Sequence, residues 1–318
     1  MSELHLPKLG YGAANVGNLF RALSDDAAWE ILQAAWDAGI RYFDTAPHYG
    51  LGLSERRLGA FLATKPRDQY LVSTKVGRLL EPHPEGAAEL DSANDFAVPA
   101  DHRRVWDFSA DGIRSSVEDS LERTGLDRFD ILYLHDPERH DLRAGLDVAV
   151  PALAHFRDQG MTRAIGVGSM DTAALLASAN TGALDLLMVA GRFTLAEQPA
   201  LAEVIPSCRE HSVGIVNASV FNSGLLATDN PGADARYEYG GVPADVLDRV
   251  RSIAGVCREF GVSLPAAALQ YTLREETVHS VVVGGSTPEQ LEQNAERMVE
   301  PIPDALWTTL AEKGLIPA

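Results

Sequence analysis

Four side chains that can take part in proton transfer lie at or just after the ends of consecutive apolar segments. Asp44 and Tyr49 belong to the run Asp-Thr-Ala-Pro-His-Tyr-Gly at 44–50, and Lys75 and His135 close the next two such segments. Each alone has an ordinary explanation, as a capping carboxylate, an exposed charge or a hydrogen-bonded histidine at a rim. Strands of one sheet lie about 4.8 Å apart, so groups at equal height on three neighbouring strands reach one substrate. An acid, a phenol, an amine and an imidazole together indicate a site that moves a proton beside a carbonyl.

These residues depend on strands that hold their positions, and the chain supplies eight short apolar segments alternating with helical patterns. The predicted strands are residues 9–13, 41–44, 70–76, 130–135, 164–169, 186–190, 214–219 and 280–284. The predicted helices are residues 25–38, 54–63, 110–124, 148–159, 172–179, 199–211, 244–260, 265–273 and 288–298. The first helix has clear end signals, because Ser24 can cap its start and Gly39 can follow its last turn.

Eight strand-helix repeats without a hinge-like linker predict an α/β protein, a single (β/α)8 barrel domain over residues 1–318 with a parallel barrel and outer helices. The glycine fingerprint of an open nucleotide-binding sheet is missing, since Gly10 and Gly12 are not followed by a third glycine at the required spacing. One segment, 77–107, is far longer than an ordinary connection. It is either a surface insertion or, as its origin after the third strand favours, a loop that covers the substrate.

Composition limits the classes of partner. Acidic residues outnumber basic ones by 45 to 27 and give a formal charge of −18, which repels nucleic acid and anionic membranes. The two cysteines, Cys208 and Cys257, suggest no disulfide framework. The nine histidines show no pair at metal-ligand spacing, so we expect no metal. The first residues lack the blocks of a signal peptide, and we expect a cytoplasmic protein, a monomer or small homo-oligomer.

The segments that carry these groups resemble the aldo-keto reductase family, whose members are barrels that use a nicotinamide cofactor. The matching stretches span nearly the whole chain in the family's order: 40–50, 54–59, 72–75, 130–135, 166–169 and 284–294. The resemblance implies that Tyr49 donates or accepts the proton and that Lys75 lowers the pKa of Tyr49. It further implies that Asp44 holds Lys75 and that His135 orients the substrate oxygen.

The resemblance also implies an NAD(P) site, although this chain departs from the family's usual residues. Where the family has Ser-Asn after strand 5 and a Gln after strand 6, only Ser169 carries over, and Phe221 is the nearest substitute for the aromatic ring that stacks on the nicotinamide. The loop after strand 8 leads into a helix whose first N–H groups can face a phosphate. The candidate cofactor contacts are Ser169, Arg192, Ser219, Phe221, Gly284, Gly285, Ser286, Thr287, Gln290 and Asn294.

The choice between NAD and NADP depends on two positions in that last loop. Relatives that use NADP commonly carry Lys and Arg where this chain has Gly284 and Gln290, so no cation is expected there for a 2′-phosphate and NAD is favoured. Arg192 or Arg163 could compensate, which leaves NADP open.

Within the family, residues 44–59 look most like the sugar dehydrogenases that oxidise C1 of L-fucose, L-galactose or a related aldose to the lactone, a group that includes a pyridoxal-oxidising relative. His48 and Asp136 could hydrogen-bond substrate hydroxyls, or could simply be solvated. A general aldehyde or ketone reductase is the first alternative, because the same four residues work in either direction. A regulatory subunit that binds the cofactor without turnover is the alternative from a different class.

Overall fold

The computed structural model describes residues 4–238 and 240–317, and its core is a closed barrel of eight parallel strands. The barrel strands are β1 (Leu9–Gly12), β2 (Tyr42–Asp44), β3 (Leu71–Val76), β4 (Ile131–His135), β5 (Ala164–Ser169), β6 (Leu186–Ala190), β7 (Gly214–Ala218) and β8 (Val278–Val283). Each strand pairs with its neighbour in chain order, and β8 closes the ring on β1. The predicted (β/α)8 barrel is therefore confirmed.

Helices surround this barrel. They are α1 (Asp25–Asp37), α2 (Leu53–Leu62), α3 (Ala110–Thr124), α4 (Leu142–Ala144), α5 (Val150–Asp158), α6 (Thr172–Ala179), α7 (Val204–Glu210), α8 (Ala244–Glu259), α9 (Leu264–Tyr271), α10 (Pro288–Val299) and α11 (Asp304–Glu312). The end signals of α1 are confirmed: the Ser24 hydroxyl accepts the Ala27 N–H, and Gly39 takes a left-handed φ of 85°.

Three stretches differ from the predicted helices. A π-helical turn over Gly145–Ala149 leads directly into α5, so the helical path starts earlier than residue 148. The helix predicted over 199–211 is divided into a 3₁₀ turn, Pro199–Leu201, and α7. The C-terminal α11 was not predicted; its Leu306, Trp307 and Leu310 are buried. These differences lie outside the barrel, whose strands end within one residue of the predicted positions.

The segment after β3 contains regular structure that no local sequence pattern predicts. Strands Arg78–Pro82 and His102–Trp106 form an antiparallel pair, with Arg78 opposite Trp106 and Leu80 opposite Arg104. The connecting residues reach the β1–α1 loop, where the Phe20 N–H donates to the Asp95 carbonyl at 2.7 Å. The hairpin is thus attached to the barrel at both its base and its far end.

The interior and the exterior of the barrel pack separately. A small apolar cluster fills the inside, formed by Tyr42, Ile131, Tyr133, Ala164, Leu186, Met188, Val216 and Val282. The larger cluster lies between the strands and the helices. Because side chains alternate along a strand, the inward row of each strand can be followed from this inner cluster to its carboxyl end.

Within the described ranges, no helix has both the length and the apolar character needed to cross a bilayer. The same residues contain no group of three or more His, Cys, Asp or Glu side chains that could hold a metal ion.

Candidate active site

An ion pair between β2 and β3 lies at the carboxyl end of the barrel. Lys75 Nζ donates to Asp44 Oδ2 at 2.6 Å and to the Thr45 carbonyl at 3.0 Å, and both charged side chains are 3% exposed. Asp44 Oδ1 accepts a further bond from Ser73 Oγ at 2.7 Å. Burial disfavours the ammonium, but the Asp44 carboxylate and the Tyr49 phenol outweigh it, so the pKa of Lys75 lies above its ordinary value. Lys75 is therefore a fixed cation.

The sequence predicts titratable groups at equal height on β2, β3 and β4, but the structure places them at different heights. Asp44 pairs with Ser73, and Lys75 pairs with Tyr133, so each group lies further along its strand than the group before it. This stagger follows from the tilt that strands need to close a barrel. The prediction that the groups meet still holds for Asp44 and Lys75, because the long lysine side chain spans the offset.

Tyr49 stands on the turn beyond β2, half-buried. Lys75 Nζ lies 4.7 Å from the centroid of its ring. Gly50 fixes this turn: its φ is 61°, and a Cβ added there would be 2.1 Å from the Gly17 carbonyl oxygen. The close approach to Gly17 requires glycine at this position, and it sets where the phenol can stand.

His135 ends β4 and faces Tyr49, with ring centroids 6.1 Å apart and planes at 89°. It is 8% exposed. Burial is the largest cause that lowers the pKa of His135 well below its usual value, and the cations Arg78 and Lys75 lower it further. The ring is therefore neutral at physiological pH. A neutral imidazole beside a phenol and an ammonium can donate a hydrogen bond to a substrate oxygen.

The two predicted substrate contacts lie beside His135. The His48 ring is 5.7 Å from the His135 ring, and its Nδ1 is buried without a hydrogen-bond partner. Burial, followed by Arg104 and Arg78, lowers the pKa of His48 to about 2. Asp136 takes a left-handed φ of 42°, which turns its carboxylate towards Arg78.

The sequence did not predict the hairpin residues that complete this side of the barrel mouth, which is the opening at the carboxyl ends of the strands. Arg78 Nη2 donates to Asp136 Oδ2 at 2.5 Å. Arg104 donates to the His48 carbonyl at 2.8 Å and to both oxygens of Asp91, and the Phe96 ring lies 6.2 Å from Tyr49. The sequence signal for Arg78 was its position three residues after Lys75. No local pattern marked Arg104 or Phe96.

The opposite side of the barrel mouth is lined by small residues. Continuing the inward rows from Met188, Val216 and Val282 leads to Ala190, Ala218 and Gly284. On β5 the corresponding inward residue is Gly168. Larger side chains there would fill the mouth facing Tyr49, so the residues present fit a flat ring such as a nicotinamide.

Two of the candidate cofactor contacts, Ser169 after β5 and Arg192 after β6, have protein partners of their own. Ser169 Oγ donates to Glu138 Oε1 at 2.7 Å and accepts the Asp171 N–H. Arg192 forms an ion pair with Glu238, Ser219 is exposed with a φ of 57°, and Phe221 is half-buried against the outer core.

The loop after β8 is folded back on the start of α10. Gln290 Oε1 accepts the Ser286 N–H at 2.8 Å, and the Thr287 hydroxyl caps the helix by accepting the Gln290 N–H. The Gly285 carbonyl accepts a bond from Tyr11, a Cβ at Gly284 would lie 2.7 Å from Asn15 Oδ1, and Asn294 is buried on α10. A cation not predicted to be here, Arg21, donates to the Ser286 carbonyl at 2.6 Å.

Comparisons with known proteins find similar sequences along nearly the whole chain. A family model described as the aldo/keto reductase family matches residues 8–314. The chain is 62% identical to a D-threo-aldose 1-dehydrogenase of a Pseudomonas species, covering 99% of this chain and 96% of that protein. It is 36% identical to a pyridoxal 4-dehydrogenase of Microbacterium luteolum (98% and 95% covered) and 30% identical to an L-galactose dehydrogenase of Arabidopsis thaliana (93% and 86%).

Solved structures share the fold at lower identity. A glycerol dehydrogenase of Gluconobacter oxydans aligns with a TM-score of 0.75 at 22% identity, covering 98% of this chain and 94% of that one. An aldo-keto reductase of Klebsiella pneumoniae solved in complex with NADPH aligns at 0.70 and 20%, covering 98% and 92%.

Proposed function

Because the chain belongs to the aldo/keto reductase family, we propose that it is an NAD(P)-dependent aldose 1-dehydrogenase that oxidises C1 of a sugar such as L-fucose or L-galactose to the lactone. The observation that carries the chemistry is the buried Lys75–Asp44 pair beneath the Tyr49 ring, with neutral His135 at its side. The activities of the two sugar-oxidising relatives, at 62% and 30% identity, support an aldose over a simple aldehyde.

Tyr49 is the proposed general base. Its phenolate accepts the proton of the C1 hydroxyl as the C1–H bond breaks, and a C1–O double bond forms. When bound, the nicotinamide cofactor supplies the acceptor for the hydride. The Lys75 ammonium, held by Asp44, stabilises the phenolate, and His135 donates a hydrogen bond to the C1 oxygen. In the reverse direction, the protonated phenol returns the proton to the carbonyl oxygen.

His48 and Asp136 are the proposed contacts for the sugar hydroxyls. The His48 ring is neutral, and its buried Nδ1 has unused hydrogen-bonding capacity in the structure. Asp136 presents a carboxylate that accepts hydrogen bonds at the same mouth. Buried polar groups that meet matching hydroxyls discriminate against substrates that lack them, so a polyhydroxylated substrate suits this mouth better than an apolar aldehyde.

NAD is the proposed cofactor, held between the small residues of β5 to β8 and the start of α10. The support is the neutral Gln290, whose amide oxygen is already used by the Ser286 N–H, together with Gly284. Arg192 faces Glu238, which offsets its charge. Arg21 is the observation that favours NADP instead, because its exposed guanidinium lies at the Ser286 carbonyl.

Steady-state assays with NAD and NADP against L-fucose, L-galactose, pyridoxal and a set of simple aldehydes test the proposal. We expect cofactor reduction with an aldose and a lactone product, with Tyr49→Phe losing turnover while still binding the cofactor. Aldehyde reduction without aldose oxidation would support a reductase instead. Cofactor binding without turnover on any substrate would support the regulatory alternative.

A further inference from the structure

Arg78 is held more rigidly than an ordinary charged residue of a hairpin. It is 5% exposed and follows Gly77, whose φ of 97° turns the chain away from β3. The Trp106 ring covers the guanidinium, with the guanidinium carbon 4.3 Å from the ring centroid. Nη2 lies 2.5 Å from Asp136 Oδ2. Stacking and ion pairing together fix one orientation of this side chain.

The carboxylate that Arg78 holds lies directly beside the proposed hydrogen-bond donor of the reaction. The same Asp136 Oδ2 that accepts from Arg78 lies 3.7 Å from His135 Nε2. The left-handed backbone at Asp136, with a φ of 42°, keeps it there. A carboxylate this close to an imidazole normally favours the protonated ring and accepts a hydrogen bond from its N–H.

Several other charged and polar groups face His135. Lys75 and Tyr49 lie on the β2–β3 side, and His48 lies across from the ring. Arg139 Nε is 3.6 Å from Asp136 Oδ2, but its side chain is 58% exposed, so solvent screens it. Arg78 is therefore the buried cation that binds the same Asp136 oxygen that faces His135.

We propose that Arg78 is a positioning residue for the reaction: by binding Asp136 it prevents that carboxylate from pairing with a protonated His135, and so leaves the neutral ring free to hydrogen-bond the substrate oxygen. This inference rests on the proposed function, because it assumes that His135 contacts the reacting oxygen.

The test is the pH dependence of kcat/KM in the reduction direction, where a low pH keeps Tyr49 protonated and favours the reaction. The wild-type enzyme should show no acid limb from His135, because its pKa lies well below the usual range. Burial still lowers that pKa when the cation is removed, but the freed Asp136 carboxylate, 3.7 Å from His135 Nε2, opposes burial and raises the pKa, so the imidazolium forms as pH falls. If it titrates near its ordinary value of about 6.5, kcat/KM at about pH 5.5 should drop about tenfold below its plateau.

Two charge-removing variants are compared, Arg78→Met and Arg78→Gln, since the glutamine keeps a polar side chain against Asp136. Arg78→Lys should retain the wild-type pH profile, because lysine keeps the positive charge. The double variant Arg78→Gln/Asp136→Asn should lose the acid limb again, since the carboxylate responsible is gone. Arg103→Met is the matched control: Arg103 lies on the same hairpin, pairs with Glu81 and is 64% exposed.

NMR titration of the histidine rings gives a readout that does not depend on turnover. One additional histidine should titrate in Arg78→Gln, and its signal should be missing when His135 is also replaced by Gln. A wild-type profile, without an acid limb, in both charge-removing variants, together with no new titrating histidine, would overturn the proposal. Failure of the proposed function is distinguishable, because it would appear as absent turnover in the unmodified enzyme.

Discussion

Replacing Lys75 with Met tests the electrostatic core of the site. Lys75 Nζ lies 4.7 Å from the Tyr49 ring centroid and is 3% exposed, so solvent screens it little. At that separation and an effective dielectric of about 20, an ammonium stabilises a phenolate by about 3.5 kcal/mol. One pH unit corresponds to about 1.4 kcal/mol, so the cation shifts the ionisation of the phenol by about two to three units. Asp44 cancels part of this field in the wild-type protein.

The sign of the effect is fixed by the chemistry. Oxidation needs the phenolate, so without Lys75 the oxidation rate should require a pH about two to three units higher. At neutral pH this means a fall in kcat/KM of at least about 100-fold. The unpaired Asp44 carboxylate left behind disfavours the phenolate further and acts in the same direction. Aldehyde reduction, which needs the protonated phenol, should extend to higher pH in the same variant.

The measurement is a full pH profile of kcat/KM in both directions for Lys75→Met and for a control variant, Lys313→Met. Lys313 is 49% exposed and pairs with Glu259 at 3.6 Å, on the C-terminal side of α11 and away from the mouth. Its replacement removes the same charge from the protein without touching the site. An oxidation profile in Lys75→Met that matches the control would refute the electrostatic role assigned to this lysine.

Three other predictions concern the cofactor, the hairpin and the packing of the helices. Gln290→Arg should raise kcat/KM for NADP by roughly 10- to 100-fold, because a charge-assisted hydrogen bond contributes about 1.5–3 kcal/mol. An unmodified enzyme that already prefers NADP would contradict this reasoning. Shortening the chain within 82–99 should raise KM for the sugar more than it lowers the melting temperature; the reverse result would make the hairpin a packing element. Gly59→Ala should destabilise by about 1–3 kcal/mol, since its Cβ would meet the Thr124 carbonyl oxygen at 2.1 Å. Gly255→Ala on α8 meets nothing within 4 Å and should be neutral or stabilising in the same denaturation assay.

The barrel and the meeting of Asp44 with Lys75 were predictable because both depend on local pattern. Alternation of apolar segments with helical periods places strands, and strand ends of a parallel barrel share one face. The identities of the titratable residues at those ends were visible in the chain itself. The assumed equal height was wrong because strand stagger is a property of barrel closure, which no single segment encodes.

The hairpin half of the mouth was not predictable for a related reason. Arg78 and Trp106 become neighbours only when two strands separated by an irregular stretch pair with each other. Arg21 likewise meets Ser286 across nearly the full length of the chain. Contacts of this range depend on tertiary packing, and short-range periodicity carries no information about them.

The net charge of the chain does not predict the charges at the barrel mouth. The chain carries a formal charge of −18, yet four cations surround Tyr49 and the two histidines: Lys75, Arg78, Arg104 and Arg139. Screening confines the field of distant surface carboxylates to about 8–10 Å, so the local arrangement decides what a substrate meets. All four cations contact a carboxylate: Lys75 contacts Asp44, Arg104 contacts Asp91, and both Arg78 and Arg139 contact Asp136. The mouth therefore presents fixed, paired charges that can hydrogen-bond hydroxyl groups without a strong preference for an anion, which is the environment that a neutral sugar requires.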